Sequence, residues 1–394
     1  MEMRKTLIAA ALGLAASQIV FSQSALAESS ITDTLKQGDV IADLRLRYES
    51  VDDDDAADKD SATALTLRSR LGYETADFNG FKVLYEIEDV RAVINDYAPE
   101  NTDYDTVADP ENTEINRAQI SYSKDGFSLV AGRQRIILDN ARFVGNVGWR
   151  QNEQTFDAVK AAYKTGDLNL QYAYIDQVNG ILRKFDADVT SHLLNATYSG
   201  LKAGNLTGYA YLLKDDDSDA KLDTYGVRFA GKTAVNDINL IYSAEFATQS
   251  SDDFDAGYYA LEGGVVLSGI TLALGNETLG SDDGAYGFQT PLATKHAFNG
   301  WADKFLATPA DGLSGTYIKA TGAVAGVKLL AMYHDYSADE GNDDKGSEVN
   351  FLAAKSFAEH YNAGVKYAAY SAGDNGTDSE FKTITDCDIS HHHA

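Results

Sequence analysis

The feature that most constrains the fold of this 394-residue chain is an alternation of apolar and polar side chains with a period of two residues. In the segment 39–49, Leu44 and Leu46 share one face with other apolar side chains, whereas Arg45 and Arg47 share the opposite face. The pattern recurs along the chain, and no segment of useful length has the period of an amphipathic helix. Because successive side chains of a β-strand point to opposite faces, each such segment predicts a strand with one apolar and one polar face.

The connections between the predicted strands are alternately short and long. Short joins such as Thr165-Gly166 and Ser268-Gly269 follow one strand of each pair, and long acidic connections such as 214–221 follow the other. Short turns at one end and long loops at the other are typical of bacterial outer-membrane barrels. A soluble sandwich has the same alternation with its apolar face turned inward. The asymmetry of the connections favours the barrel.

We therefore predict an all-β fold, a transmembrane antiparallel up-and-down β-barrel of about 18 strands, with about 16 strands as the alternative. An even number is usual for single-chain bacterial barrels. The predicted strands are 39–50, 61–76, 80–92, 113–124, 127–136, 154–164, 167–178, 190–199, 204–214, 221–231, 236–248, 256–268, 269–279, 314–323, 326–337, 347–358, 361–371 and 380–390.

The N-terminal residues 1–27 have the layout of a secretory signal peptide. Arg4 and the lysine after it form a charged start, an apolar stretch follows, and an Ala-x-Ala cleavage site ends at Ala27. No later stretch approaches the apolar length that a transmembrane helix needs. We expect residues 1–27 to be removed and residues 28–394 to form a single barrel domain in the outer membrane.

The composition agrees with a membrane barrel and limits its partners. Tyr (23) and Gly (33) are abundant and Pro (4) is scarce, as expected for aromatic girdles and for strands that must all be paired. A single cysteine, Cys387, excludes an intrachain disulfide. A net charge of -27 argues against a nucleic-acid partner. The expected partners are outer-membrane lipid and lipopolysaccharide, with a monomer favoured.

Almost all arginines of the mature chain lie between Arg45 and Arg150. An arginine that faces lipid at the midplane costs about 2–4 kcal/mol, so these side chains are expected to point into the lumen, where cationic rings select anions. The expected pore-lining and anion-binding residues are Arg45, Arg47, Arg68, Arg70, Arg117, Arg133, Arg135, Arg142, Arg150 and Lys160. Alternatively, the arginines pair with carboxylates of the same wall, namely Asp43, Glu49, Glu74, Glu86 and Glu88.

Two connections are candidates for inward loops. The segment 132–159 reads as a strand end, a loop interrupted by Gly and Asn, and a strand start, and it contains four of the arginines. The connection 280–313 is too aromatic for a solvated loop, and its residues Phe298, Trp301 and Phe305 are the expected constriction. The alternative for this second loop is that it packs over neighbouring loops.

Two parts of the sequence resemble a known family. The runs 132–134, 149–152 and 155–158 (Gly-Arg-Gln, Trp-Arg-Gln-Asn and Thr-Phe-Asp-Ala), together with 290–305, resemble the alginate-export family of outer-membrane porins. This resemblance implies a barrel with the number of strands predicted above. It also implies conduction of anions or anionic sugars, because the alginate exporter has an electropositive, arginine-rich lumen for a polyuronate.

Signatures of enzymes are absent from the sequence, which has no Gly-x-Ser-x-Gly, no His-x-x-x-His and no phosphate-binding glycine loop. Catalytic residues, a cofactor and a metal are therefore not expected. Paired acids in the loops, such as Asp252-Asp253, could hold Ca²⁺, but a solvated loop is the preferred interpretation.

Taken together, these patterns predict a porin for the passive diffusion of small, anionic solutes or sugars through an arginine-lined lumen. Two alternatives stay open. One is an exporter of an anionic polysaccharide similar to alginate, and the other is a structural or adhesive surface barrel whose loops bind a partner.

Overall fold

The computed structural model describes residues 27–54, 59–236, 238–358, 360–374 and 376–392. The expected signal peptide, 1–27, lies outside the described residues except for Ala27. Its removal, and the treatment of 28–394 as one domain, therefore stay predictions.

The described chain consists almost entirely of β-strands. A helix, α1 (Ala27–Lys36), precedes the first strand, and single turns of 3-10 helix span Arg183–Phe185 and Lys295–Ala297. The long strands are β1 (Asp39–Asp53), β2 (Ala62–Glu74), β3 (Phe81–Asp96), β4 (Asn112–Lys124), β5 (Phe127–Gln134), β6 (Thr155–Thr165), β7 (Leu168–Asn179), β8 (Ala187–Leu201), β9 (Gly204–Lys214), β10 (Lys221–Val235), β11 (Ile238–Ser251), β12 (Asp255–Leu267), β13 (Ile270–Leu279), β14 (Leu313–Val324), β15 (Val327–Ser337), β16 (Asp344–Phe357), β17 (Tyr361–Ser371) and β18 (Ser379–His392). A small hairpin pairs Ser281–Asp282 with Tyr286–Gly287.

These strands form one closed sheet. Each strand pairs in antiparallel fashion with its neighbours in sequence, and β18 pairs with β1 from Asp53–Ser379 to Ile41–His392. Closure leaves no open edge in the sheet. The prediction of an 18-stranded up-and-down transmembrane barrel is confirmed.

The two faces of the sheet differ as the alternation predicts. On β1, Leu44 and Leu46 are exposed on the outer surface. Arg47 lies on the inner face of the same strand and is only 4% exposed. On β2, Leu67 and Leu71 are exposed and Arg68 is buried. Outward apolar side chains form the lipid-facing band of a transmembrane barrel. In the described parts of the chain, no helix is long and apolar enough to cross a membrane.

The two ends of the barrel are built differently. At one end, hairpins turn within two residues, as at Ser268 and Gly269, whose φ angles of 49° and 83° match a tight hairpin turn. At the other end, three long connections turn inward: the β3–β4 loop (97–111), the β5–β6 loop (135–154) and the β13–β14 loop (280–312). Tyr97, Asp109, Gln151 and Phe288 in these loops are fully buried. The loops therefore lie within the barrel mouth and position the site described next.

Candidate channel lining

The strand register places arginines side by side on the inner face of β1 and β2. Asp43 is opposite Arg70, and Arg45 is opposite Arg68. Like charges directly opposite each other on a sheet are destabilising. Arg68 donates a hydrogen bond to Asp43, which offsets the repulsion on one side. Arg45 donates instead to backbone carbonyls of the β5–β6 loop, with 3.1 Å from Nη1 to the oxygen of Arg150.

Charged pairs continue on the inner face across β3 and β4, and one further pair joins β5 to β6. Arg70 donates to Glu88. Arg117 binds Glu86 in a bidentate manner, at 2.9 Å from Nε and 2.7 Å from Nη2. Arg133 binds Asp157 in the same way, at 2.7 and 3.0 Å, but this pair lies on the outward face, because Arg133 is opposite Ala118 and shares a face of β5 with the exposed Phe127. The prediction that Arg133 lines the pore is therefore not supported by the register. Such paired contacts fix the plane of each guanidinium and are strong for ion pairs.

Glu153, at the end of the β5–β6 loop, joins this loop to the wall. Its carboxylate accepts hydrogen bonds from Asn116 at 2.6 Å and from Nε of Arg135 at 2.7 Å, and Arg70 Nη2 lies 3.3 Å away. Burial favours the protonated acid, but Arg70 and Arg135 outweigh it and lower the pKa of Glu153 to about 2. Glu153 is therefore an anion at neutral pH, held behind cations.

Arg150 is the point at which all three inward loops meet. Its Nη1 lies 2.7 Å from Glu49 of β1 and 3.7 Å from Asp109 of the β3–β4 loop, and its Nη2 lies 3.1 Å from Asp303 of the β13–β14 loop. Arg47 lies 3.3 Å from the same Asp109. Burial opposes the charge, but the surrounding carboxylates raise the pKa of Arg150 above its ordinary value. The junction is an internal salt-bridge network.

Arg142 is completely buried and does not reach an open lumen. It donates to Glu277 of β13 at 2.5 Å, to Thr290 at 3.2 Å and to Asn299 at 3.2 Å, and its guanidinium lies 5.1 Å from the ring of Phe298. It therefore links the β5–β6 loop to the β13–β14 loop.

An aromatic sandwich holds the β13–β14 loop against the wall. The rings of His296 and Trp149 stack with centroids 3.4 Å apart, and Lys366 of β17 lies 4.8 Å from Trp149 and 4.2 Å from Trp301. His296 Nδ1 lies 2.7 Å from Asp303, and its Nε2 faces Lys366. Burial and the ammonium of Lys366 lower the pKa of His296 to about 3, so the ring is neutral and can accept from that ammonium.

The remaining predicted residues occupy different positions. Phe305 packs on Tyr336 and Tyr370 of the inner wall, with ring centroids 4.9 and 5.8 Å away. Trp301 is 9% exposed, and its backbone NH donates to Glu348. Lys160 is half-buried on β6, apart from the network, and has no ion-pair partner among the residues with described side chains.

The pairing carboxylates come partly from expected and partly from unexpected positions. Asp43, Glu49, Glu86 and Glu88 of the wall all contact arginines, whereas Glu74 pairs with Lys82 at 3.1 Å. Sequence reasoning missed the loop carboxylates Asp109, Glu153 and Asp303, because a loop has no periodicity that tells which side chains turn inward. The polar run at 151–154 (Gln-Asn-Glu-Gln) beside Trp149 was the available signal.

A cavity of about 820 Å³ lies at the long-loop end of the barrel, between the inward loops and the ends of β7 to β10. We call it the loop-end cavity. Its lining includes Trp149, Arg150, Lys295, Asp303 and Lys304. Among the described residues, no group of three or more His, Cys, Asp or Glu side chains is arranged to hold a metal ion.

The closed sheet and its charged interior define a transmembrane β-barrel with an inward-folded mouth. The chain belongs to the alginate export family, whose sequence profile matches residues 37–273. No curated protein matches the sequence.

Solved structures with the same fold include two from Pseudomonas aeruginosa and one from Acinetobacter baumannii. OccK1 (OpdK) has a TM-score of 0.74 at 12% identity, covering 91% of this chain and 100% of that one. OccK9 (OpdG) has a TM-score of 0.73 at 12% identity with the same coverage. OccAB4 of A. baumannii has a TM-score of 0.71 at 13% identity, covering 90% of this chain and 98% of that one. At this identity the likeness shows the fold alone.

Proposed function

We propose that this protein is an outer-membrane porin through which small anionic solutes diffuse passively along the arginine-bearing inner face of β1 to β4. Lipid and lipopolysaccharide surround the barrel, and the monomer is the functional unit. The chain acts as a channel and performs no catalytic step.

One observation carries the proposal: in the centre of the network the cations are accessible and their carboxylates are not. The side chains of Arg135 and Arg117 are 28% and 16% exposed, whereas those of Glu153 and Glu86 are each 1% exposed. A solute passing this wall would meet guanidinium groups, which stay charged at any ordinary pH and match carboxylates with their planar donors. Buried carboxylates behind them hold the guanidinium groups in place.

The accessible set is smaller than the set expected from the sequence. Arg45, Arg117, Arg135 and Lys160 keep exposed surface on the inner side, and we assign solute contact to them. Arg133 is left out of this set, because it shares the outward face of β5 with Phe127. The buried members have a positioning role, because a side chain without accessible surface cannot meet a solute. These positioning residues are Arg47, Arg68, Arg70, Arg142 and Arg150.

The test is the reversal potential of the refolded protein in a planar bilayer across a salt gradient. We expect anion preference in the parent protein and a weaker preference in the double variant Arg117→Ala/Arg135→Ala. The matched control is Arg91→Ala, because Arg91 is 53% exposed on the outward face of β3. Cation preference in the parent protein, or equal selectivity in the double variant and the control, would contradict the proposal.

The second candidate is export of an anionic polysaccharide, and membership of the alginate export family favours it. The small-solute proposal is supported by a neighbour of the same fold, OpdK, whose structure was solved with vanillate. Flux of uronate oligomers of increasing length into protein-loaded liposomes separates the two. Long oligomers that pass as readily as the monomer would favour export.

A further inference from the structure

The loop-end cavity combines a large apolar wall with few unpaired charges. Its volume of about 820 Å³ lies in the range of small-molecule pockets, roughly 300–1,000 Å³. Ile175, Val178, Val189 and Leu292 line it and are almost completely buried, and the exposed ring of Phe185 lies at its margin. Pockets that bind small molecules typically have such apolar walls with a few polar groups that fix orientation.

Most charged groups around the cavity already have partners. Lys304 lies 2.8 Å from Asp53, and Arg150 lies 3.1 Å from Asp303. Lys214 lies 2.7 Å from Asp219. These pairs contribute little attraction for a further ion, because each charge is offset by its neighbour.

Lys295 differs from these groups. It lies in the single helical turn Lys295–Ala297, is half-buried, and lines the cavity. Among the residues with described side chains, its ammonium has no carboxylate within ion-pair distance and no hydrogen-bond acceptor. Burial and the nearby guanidinium of Arg142 lower the pKa of Lys295 to about 8, so the ammonium is still mostly charged at neutral pH.

A half-buried ammonium without an anionic partner is incompletely solvated, and a bound anion supplies the missing partner. The surrounding wall determines which anion fits, since apolar side chains favour a ligand with an apolar body over a sugar or an inorganic ion.

We propose that Lys295 and the apolar wall of the loop-end cavity form a binding subsite for amphipathic monocarboxylates, with the carboxylate at Lys295 and the apolar body against Ile175, Val178 and Leu292. The proposal rests on the proposed function, since it gives the channel a solute preference before the arginine wall is reached. It adds a saturable site to a path that would otherwise only select by charge.

The experiment uses benzoate as the probe, added to the loop side of single channels in planar bilayers at neutral pH. Benzamide has the same ring without the charge, and acetate has the charge without the ring. We expect benzoate to block the current at concentrations at which benzamide and acetate do not. Lys295→Met should weaken the block about tenfold or more, which is the effect of losing a hydrogen bond to a charged group.

The matched control is Lys221→Met, because Lys221 also lines the cavity but is exposed to solvent. It should leave both the block and the parent conductance unchanged. An unchanged block in Lys295→Met, or equal block by benzamide, would overturn the subsite.

Failure of the channel function is distinguishable from failure of the subsite. If the refolded protein does not conduct, benzoate binding to the detergent-solubilised protein is measured by calorimetry. Binding that depends on Lys295 in a non-conducting barrel would support the subsite and refute the porin. The absence of such binding would refute the subsite itself.

Discussion

The guanidinium of Arg135 covers the carboxylate of Glu153, with its Nε 2.7 and 2.8 Å from the two carboxylate oxygens. Arg135 is partly open to solvent and Glu153 is not. The pair therefore presents a positive surface toward the barrel interior, although the two charges sum to zero. This arrangement makes the charge that a solute meets depend on which partner is removed.

Replacing Arg135 by alanine should expose a negative charge in the lumen. We expect Arg135→Ala to shift the reversal potential toward cations, because Glu153 keeps its charge through Arg70. The double variant Arg135→Ala/Glu153→Gln should recover part of the anion preference. Equal selectivity of the single and double variants would show that Glu153 does not act on the lumen.

The stability of the barrel should fall in acid through Glu153. Its folded pKa of about 2 lies below the ordinary value of 4.5, so its contribution is present above about pH 4.5 and is lost as the pH falls toward 2. We expect the difference in unfolding free energy between the parent protein and Glu153→Gln to shrink across this window, measured by urea denaturation. His296, which also resists protonation in the fold, is common to both proteins and cancels in the difference. A difference that is constant with pH would refute the assignment.

Removing Arg142 should destabilise the protein strongly. Arg142→Met leaves Glu277 and Asn299 without their buried donor, and breaking a buried ion pair costs about 3–5 kcal/mol. We expect a large fall in the midpoint temperature of unfolding. The midpoint is measured through the heat-modifiable electrophoretic mobility of the barrel. The double variant Arg142→Met/Glu277→Gln should recover a substantial part, since no uncompensated charge remains. A double variant as unstable as the single one would mean that packing, and not charge, dominates at this position.

Replacing Trp149 should loosen the barrel mouth without opening the sheet. Trp149→Leu removes the ring that stacks on His296 and lies over the guanidinium of Arg150, 3.9 Å away. Trp149 is half-buried and leucine keeps part of its apolar contact, so the cost should be smaller than the roughly 3–5 kcal/mol of truncating a buried Trp to Ala, and it falls on the contact between two loops. We expect larger and noisier single-channel currents and faster proteolysis of 280–312, with heat modifiability retained.

The control for that variant is Phe127→Leu, because Phe127 is an outward aromatic residue and 38% exposed. It should leave the current unchanged. Identical currents in the parent protein and Trp149→Leu would show that the sandwich does not restrict the mouth.

The strands were predictable from the sequence because an alternation of period two has a single structural explanation once the connections alternate in length. The predicted ends of two strands differ from the observed ends, because the alternation of side chains is weak there. β3 was predicted at 80–92 and extends to Asp96, and β8 was predicted at 190–199 and begins at Ala187. Hydrogen bonding between neighbouring strands, which the pattern of one strand does not encode, extends both.

The site was less predictable than the strands. The inward direction of Arg68 follows from strand parity, but its partner Asp43 depends on the register between β1 and β2. Asp109, Glu153 and Asp303 depend on how three loops fold back, which is a matter of tertiary packing. Arg142 was grouped with the lining because of its neighbours in sequence, whereas the turn that carries it directs it toward Glu277. Asp109, Glu153, Asp303 and Arg142 share one property, which is that residues distant in the chain form the environment of each side chain.

The pairing of β18 with β1 sets the order in which this protein can be assembled. β18 follows the other described strands in the chain and supplies the partner for β1, so one edge of β1 stays unpaired until β18 is available. Contacts such as Lys304 with Asp53 join parts of the chain 251 residues apart and gain their fixed geometry only after closure. The charged interior is thus completed late in biogenesis, and truncation before β18 would leave both an open seam in the bilayer and a mouth whose loops have lost part of their supporting wall.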